Sequence, residues 1–163
     1  MFRSILALLA VSLVAVPAHA ESLPPGFETP GATEVLRATG VGAQIYVCAK
    51  AADGGLAWSF REPIAALIDA SGKTIGRHFA GPTWELADLS AVVGKVVVKA
   101  PAASPQDIPW LKLDVASATD KAALDGVTHV LRLDTKGGQL AGACASEGAF
   151  RAEPYSATYV FLK

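Results

Sequence analysis

The stretch from Gly72 to Asp88 holds most of the side chains that ordinary packing does not require, set among three glycines and Pro82. His78 titrates near neutrality, so it can shuttle a proton, ligate a metal or bind a ligand. Glu85 and Asp88 stand three residues apart, a spacing at which two carboxylates hold a cation or divide acid and base work. Trp84, with Trp110 further along, offers flat apolar surface to a sugar or another planar ligand. Arg132 is a candidate anion binder.

Each of these residues also has a plainer use. A lone histidine beside Gly and Pro turns can simply hydrogen-bond a loop, and tryptophans fill cores. Glu85 and Asp88 read equally as a solvated turn, and Arg132 as the partner of Asp134 in a surface pair worth little. Trp58 alternates with Leu56 and Phe60 and reads as core. His129 alternates with Val127, Leu131 and Leu133, which predicts a histidine satisfied within an apolar face.

Familiar catalytic spellings are missing. Gly142-Ala143-Cys144-Ala145-Ser146-Glu147-Gly148 places Cys144 where a nucleophile elbow needs glycine. Gly40-Val41-Gly42 lacks the third glycine of a dinucleotide loop and precedes a strand where a helix is needed. No two histidines have metal-ligand spacing on one element. The reading is therefore no metal, no cofactor, no identified catalytic residue, and a balance against an enzyme.

The elements that must position the candidates begin after an apparent address. Arg3, the apolar run Ile5 to Val16 and Ala18-His19-Ala20 have the form of a signal peptide over residues 1–20. The apolar run is too short to span a bilayer as a helix, and no transmembrane segment is read in the mature chain. A secreted or periplasmic protein follows. In that compartment two cysteines, Cys48 and Cys144, read as one disulfide. A metal pair or two free thiols are the alternatives. With 14 basic against 15 acidic residues and no basic run, nucleic acid and anionic membrane surfaces are poor partners.

Residues 21–42, with Pro24, Pro25, Gly26 and Pro30, read as an extended lead-in. Ala32 to Ala38 allows one or two helical turns before Gly40 and Gly42. Residues 43–163 form a single β-rich domain: Ala43 to Cys48 alternates, Asp53-Gly54-Gly55 turns it into Leu56 to Phe60, and further short strands follow. Ala100 to Asp107 is the clearest loop, and Ala118 to Leu124 could hold a helical turn capped by Thr119 or Asp120. Short strands between turn signals predict an all-β, antiparallel sandwich or barrel.

Several of these pieces together resemble a known family. They are Gln44-Ile45-Tyr46-Val47-Cys48, the block Gly76 to Glu85, Ile108-Pro109-Trp110-Leu111, Val127 to Arg132 with Thr135 to Gly138, Cys144, and Tyr155-Ser156-Ala157-Thr158-Tyr159. In that order they are similar to the exported bacterial and fungal proteins grouped as the domain of unknown function 3455 family. The chain departs at Leu89, where glycine is frequent, at Asp134, where asparagine is usual, and at Leu140-Ala141. The resemblance implies an exported single domain and supplies no catalytic residues.

Three classes of function remain open from the residues. The first is a module binding a small molecule, glycan or envelope component. The second is a hydrolase-like or metal-assisted enzyme using His78 with Glu85 or Asp88. The third is a structural or protein-partner role at the envelope.

Overall fold

The computed structural model describes residues 23–119 and 122–163. Residues 1–20, read as a signal peptide, lie outside the described residues, as does the suggested cap Asp120. Eight strands follow one another: β1 (Glu34–Lys50), β2 (Leu56–Ile68), β3 (Thr74–Phe79), β4 (Thr83–Leu86), β5 (Ala91–Ala100), β6 (Trp110–Ala118), β7 (His129–Gly137) and β8 (Phe150–Leu162). Each pairs antiparallel with the next, and β8 returns to β1, so the sheet closes on itself. The all-β antiparallel expectation holds. Of sandwich and barrel, the ring is the barrel, although bulges in several ladders and the four-residue β4 make it irregular. No helix of the described residues is long and apolar enough to cross a membrane.

β1 corrects the reading of its own beginning. It starts at Glu34, inside the segment read as lead-in, and runs through Gly40 and Gly42 as strand rather than helix. Those glycines do not stop a helix. A Cβ at 40 would strike the Tyr159 ring, and one at 42 would strike the Ile64 carbonyl and the Ala65 Cα. They are the places where the neighbouring strand and ring come too close for any side chain.

Alternation sends Leu67, Trp84, Val92, Leu113, Val130 and Phe161 inward, where they fill one end of the ring. A short 3-10 turn, Ala122–Leu124, closes that end with the buried Leu124. Thr119, the other suggested cap, accepts the Ala91 N–H through its hydroxyl instead. The outward residues Trp110, Leu131, Leu133, Val160 and Leu162 are covered in turn by Phe27 of the N-terminal segment. Lys112 Nζ pins that segment by donating to the Glu28 carbonyl at 2.6 Å.

His129 falls at the margin of this outer face rather than within it. Its side chain is 30% exposed, with Nε2 3.5 Å from Asp114 Oδ1. Val127, which lent the apolar pattern, precedes the strand and packs at the closed end of the interior.

Cys48 and Cys144 form the disulfide, with Cα atoms 5.8 Å apart. It ties the end of β1 to the 138–149 loop, which also takes the Trp58 N–H on Gly142 O and gives the Cys144 N–H to Leu56 O. Replacing both cysteines by serine should cost roughly 2–5 kcal/mol while the far-ultraviolet circular dichroism of the strands survives. Hydrogen exchange should then speed up first between residues 139 and 148. Unchanged protection there would mean the loop is held by other contacts.

Leu89 and Asp134, two of the positions that depart from family usage, have positive φ of 65° and 49°. Left-handed backbone costs a residue with a Cβ about 1–2 kcal/mol relative to glycine, and Leu89 is exposed. Leu89→Gly should therefore raise the melting temperature by roughly 2–4 °C, measured by calorimetry. A lowered value would show that the leucine side chain makes a contact that outweighs the strain.

Candidate functional site

The end of the ring opposite the 3-10 turn is open. The inward alternation of β1 brings Gln44 and Tyr46 to it, and β2 brings Trp58 and Phe60. β5 adds Val96 and Lys99, and β7 adds Arg132. The loop between β5 and β6 and the disulfide-tethered 138–149 loop form the rest of the rim. Together they enclose a cavity of about 490 Å³. Tyr46 is the post that holds the rim, donating its hydroxyl hydrogen to Gly138 O at 2.8 Å and accepting the Leu140 N–H at 3.2 Å. Its ring meets Phe60 edge-on, with centroids 5.8 Å apart.

Arg132 is the charge at the floor of this cavity. Its Nε and Nη2 both donate to Pro109 O, at 3.1 and 2.8 Å, which bolts the entry of β6 to β7. The Thr135 hydroxyl donating to Ile108 O and the Gly137 N–H donating to the Asp107 carboxylate, each at 2.5 Å, complete that joint. The surface pair with Asp134 is not formed, because Arg132 points inward while Asp134 is exposed. Among the described residues no carboxylate lies within ion-pair distance of the guanidinium. Burial lowers its pKa, opposed by the oxygens of Tyr159, Tyr155 and Tyr46 around it. The Tyr155 and Tyr159 hydroxyls are 3.1 Å apart, and burial raises both, so they remain neutral at physiological pH.

Deeper in the ring His78 lies flat on Trp84, with centroids 4.5 Å apart and planes 11° from parallel, and Tyr159 leans on both. His78 Nδ1 is 2.8 Å from Thr83 O. A carbonyl only accepts, so Nδ1 carries the hydrogen and Nε2 is left as the acceptor. Burial pulls the pKa of His78 down to about 4, the Thr83 bond acts against this, and the Arg132 charge adds to it.

The six sequence candidates thus separate. His78, Trp84 and Arg132 share the interior through Tyr159. Glu85 faces the other side of β4, where its Oε1 pairs with Arg77 at 2.8 Å. Asp88 sits in the turn at the closed end, accepting from Ser90 and from Ala123 N, so its carboxylate anchors the 3-10 turn. Those hydrogen bonds, the Ser90 hydroxyl first, hold its pKa low. Trp110 packs on the outer face under Phe27, across the sheet from Trp84, and the two do not make one platform. Among the described residues no three His, Cys, Asp or Glu side chains come together as a metal site.

Gln44, Tyr46, Trp58, Phe60 and Lys99 were not singled out from the sequence. Trp58, read as core, lines the cavity mouth because the ring is unfilled at that level. The signal that could have exposed them was the one-sided alternation of Gln44 and Tyr46 opposite Trp58 and Phe60 across a hairpin. An outer hollow of about 530 Å³ lies under the N-terminal segment, where Glu34 and Arg37 pair at 2.6 Å and Asp134 is the remaining charge.

The model of a family described as "Protein of unknown function (DUF3455)" matches residues 29–163. The chain belongs to this family. The DUF3455 match takes in all eight strands, both cysteines and every residue of the cavity; Phe27 lies just ahead of it. No curated protein and no solved structure matches the chain.

His78 gives the fold a defined response to acid. In the unfolded chain it takes up a proton near pH 6.5, whereas in the folded protein it resists until about pH 4. Between those values the unfolded state binds more protons, so stability falls as pH falls through the window, by about 3 kcal/mol in all. Above pH 6.5 the group contributes no pH dependence. The parent should lose melting temperature from pH 6.5 to 4 relative to His78→Phe, which keeps the stack and cannot titrate. Parallel curves for the two proteins would show that His78 does not resist protonation.

Proposed function

We propose that this protein is a non-catalytic binding module that works after export and takes a small molecule into the open end of its barrel. An eight-stranded ring is at the size where side chains either fill the interior or leave room for one small ligand. Here Trp84, Phe161 and Leu124 fill one end, and the other end is a cavity. The observation that carries the reading is Arg132, an inward guanidinium at the cavity floor with no carboxylate beside it. An inward charge with a carbonyl partner but no counter-charge is costly, and an anionic ligand would supply what the chain omits.

The signal-like residues 1–20, and a disulfide compatible with an extracellular location, support the export half of the reading. The catalytic arrangement of His78 with Glu85 or Asp88 has no comparable support, since β3 and β4 set those side chains on opposite faces or at the far end.

A thermal-shift screen of small metabolites against the oxidised protein tests this. Binding at a hundred times Kd stabilises by about 2.7 kcal/mol, so true ligands should raise the melting temperature by several degrees. Val96→Trp, which fills the mouth, should abolish those shifts while the protein stays folded. A screen with no shift, or shifts unchanged in Val96→Trp, would refute a ligand in the barrel.

A further inference from the structure

We propose that the cavity is built for a small aromatic carboxylate, its carboxylate on the end-on fork of Arg132 and its ring against Trp58 and Phe60. This deepens the binding reading above and rests on it.

The charges lining the cavity have one sign. Arg132 stands at the floor and Lys99 at the rim, and neither Asp nor Glu is among the lining residues. The guanidinium has five N–H donors in two usable edges. The lateral edge, Nε with Nη2, is spent on Pro109 O. The guanidinium also has the Tyr159 hydroxyl as a hydrogen-bonding neighbour, and its end-on edge, which pairs with no carboxylate among the described residues, matches the two oxygens of a carboxylate.

A third donor is also unspent. Gln44 is 2% exposed, lines the same cavity, and its Nε2 has no hydrogen-bond partner. An unpaired buried amide is costly, and a ligand oxygen would relieve it. Acceptors in the lining are the side-chain carbonyls of Gln44 and Gln139. The Tyr46 hydroxyl is engaged on both sides, and Pro109 O already takes two bonds from Arg132. A ligand group that only accepts suits the donors of Arg132, Lys99 and Gln44. A carboxylate only accepts.

The apolar wall selects the rest of the ligand. Trp58, Phe60 and Tyr46 line the same cavity as the donors, and Phe60 is 52% exposed. A flat ring placed there covers that surface and gains edge or stacking contacts that a saturated chain does not. The volume of about 490 Å³ lies in the range of small-ligand sites.

Calorimetric titration with 1-naphthoate, its neutral isostere 1-naphthamide, and the saturated acid decanoate separates the parts of the claim. Naphthoate should bind at least tenfold more tightly than either of the others. Arg132→Gln should lose at least tenfold for naphthoate and little for naphthamide. Lys99→Gln, an exposed change that leaves the fold intact, should lose two- to threefold for naphthoate and gain salt independence, so the claim remains testable if Arg132→Gln fails to fold.

Equal affinity for naphthamide would overturn the carboxylate, and equal affinity for decanoate would overturn the ring. Unchanged naphthoate affinity in Arg132→Gln, or in Lys99→Gln where Arg132→Gln does not fold, would overturn the assigned site. If neither naphthyl compound binds while the metabolite screen yields ligands that Val96→Trp loses, the binding reading stands and the aromatic acid falls. If nothing binds in either experiment, both fall.

Discussion

β1 is hydrogen-bonded along both edges, to β2 and to β8, and the ring exists because that one strand can serve both. Two strands packed this closely on a third leave almost no room on the inner side. Gly40 yields its place to the Tyr159 ring, and Gly42 yields its place to the backbone of β2. The same economy recurs at Gly76 against Leu86 and at Gly94 against Trp84 and Leu113. Two of the large interior rings, Tyr159 and Trp84, lie where glycines face them. The aromatic stack of His78, Trp84 and Tyr159 follows from backbone approach before any question of chemistry arises.

Above that stack the interior changes character by steps. Trp84 and Phe161 are apolar, Tyr159 and Tyr155 add hydroxyls, and Arg132 adds a full charge where the ring opens. Burial lowers the pKa of this guanidinium, and its two bonds to the single Pro109 carbonyl and the tyrosine oxygens around it act the other way. The tyrosines act as a polar lining that lets the charge sit below the rim without a carboxylate. His78, one layer lower, feels the same positive field and stays neutral.

Much of this fold was legible in the sequence because strand alternation and turn residues are local signals. Asp53-Gly54-Gly55, Ser71-Gly72 and Lys136-Gly137-Gly138 marked turns, and the paired cysteines marked a closure. Inward and outward faces were also readable for β6, where Leu111 and Leu113 alternate with Lys112 and Asp114. Two things were not readable. Gly40 and Gly42 looked like helix stops, since their packing reasons lie across the sheet, in Tyr159 for Gly40 and in Ile64 and Ala65 for Gly42. The cavity was hidden for a related reason. Trp58 and Phe60 carry the same alternation whether the ring is filled or empty at their level, and only closure decides that. The candidates drawn from one dense stretch, His78 to Asp88, were likewise divided by a sheet that sends neighbours to opposite faces.

The disulfide joins β1 to a loop that belongs to none of the eight ladders. None of the eight ladders contains both cysteines, so the bond adds a tie that strand pairing alone does not supply. What it completes is the lip of the cavity, with Gln139 and Leu140 brought over Tyr46. The lip is therefore held twice over, by the Tyr46 hydroxyl at one point and by the covalent bond at another, so the redox state of two thiols bears on the edge of the container and not on its wall.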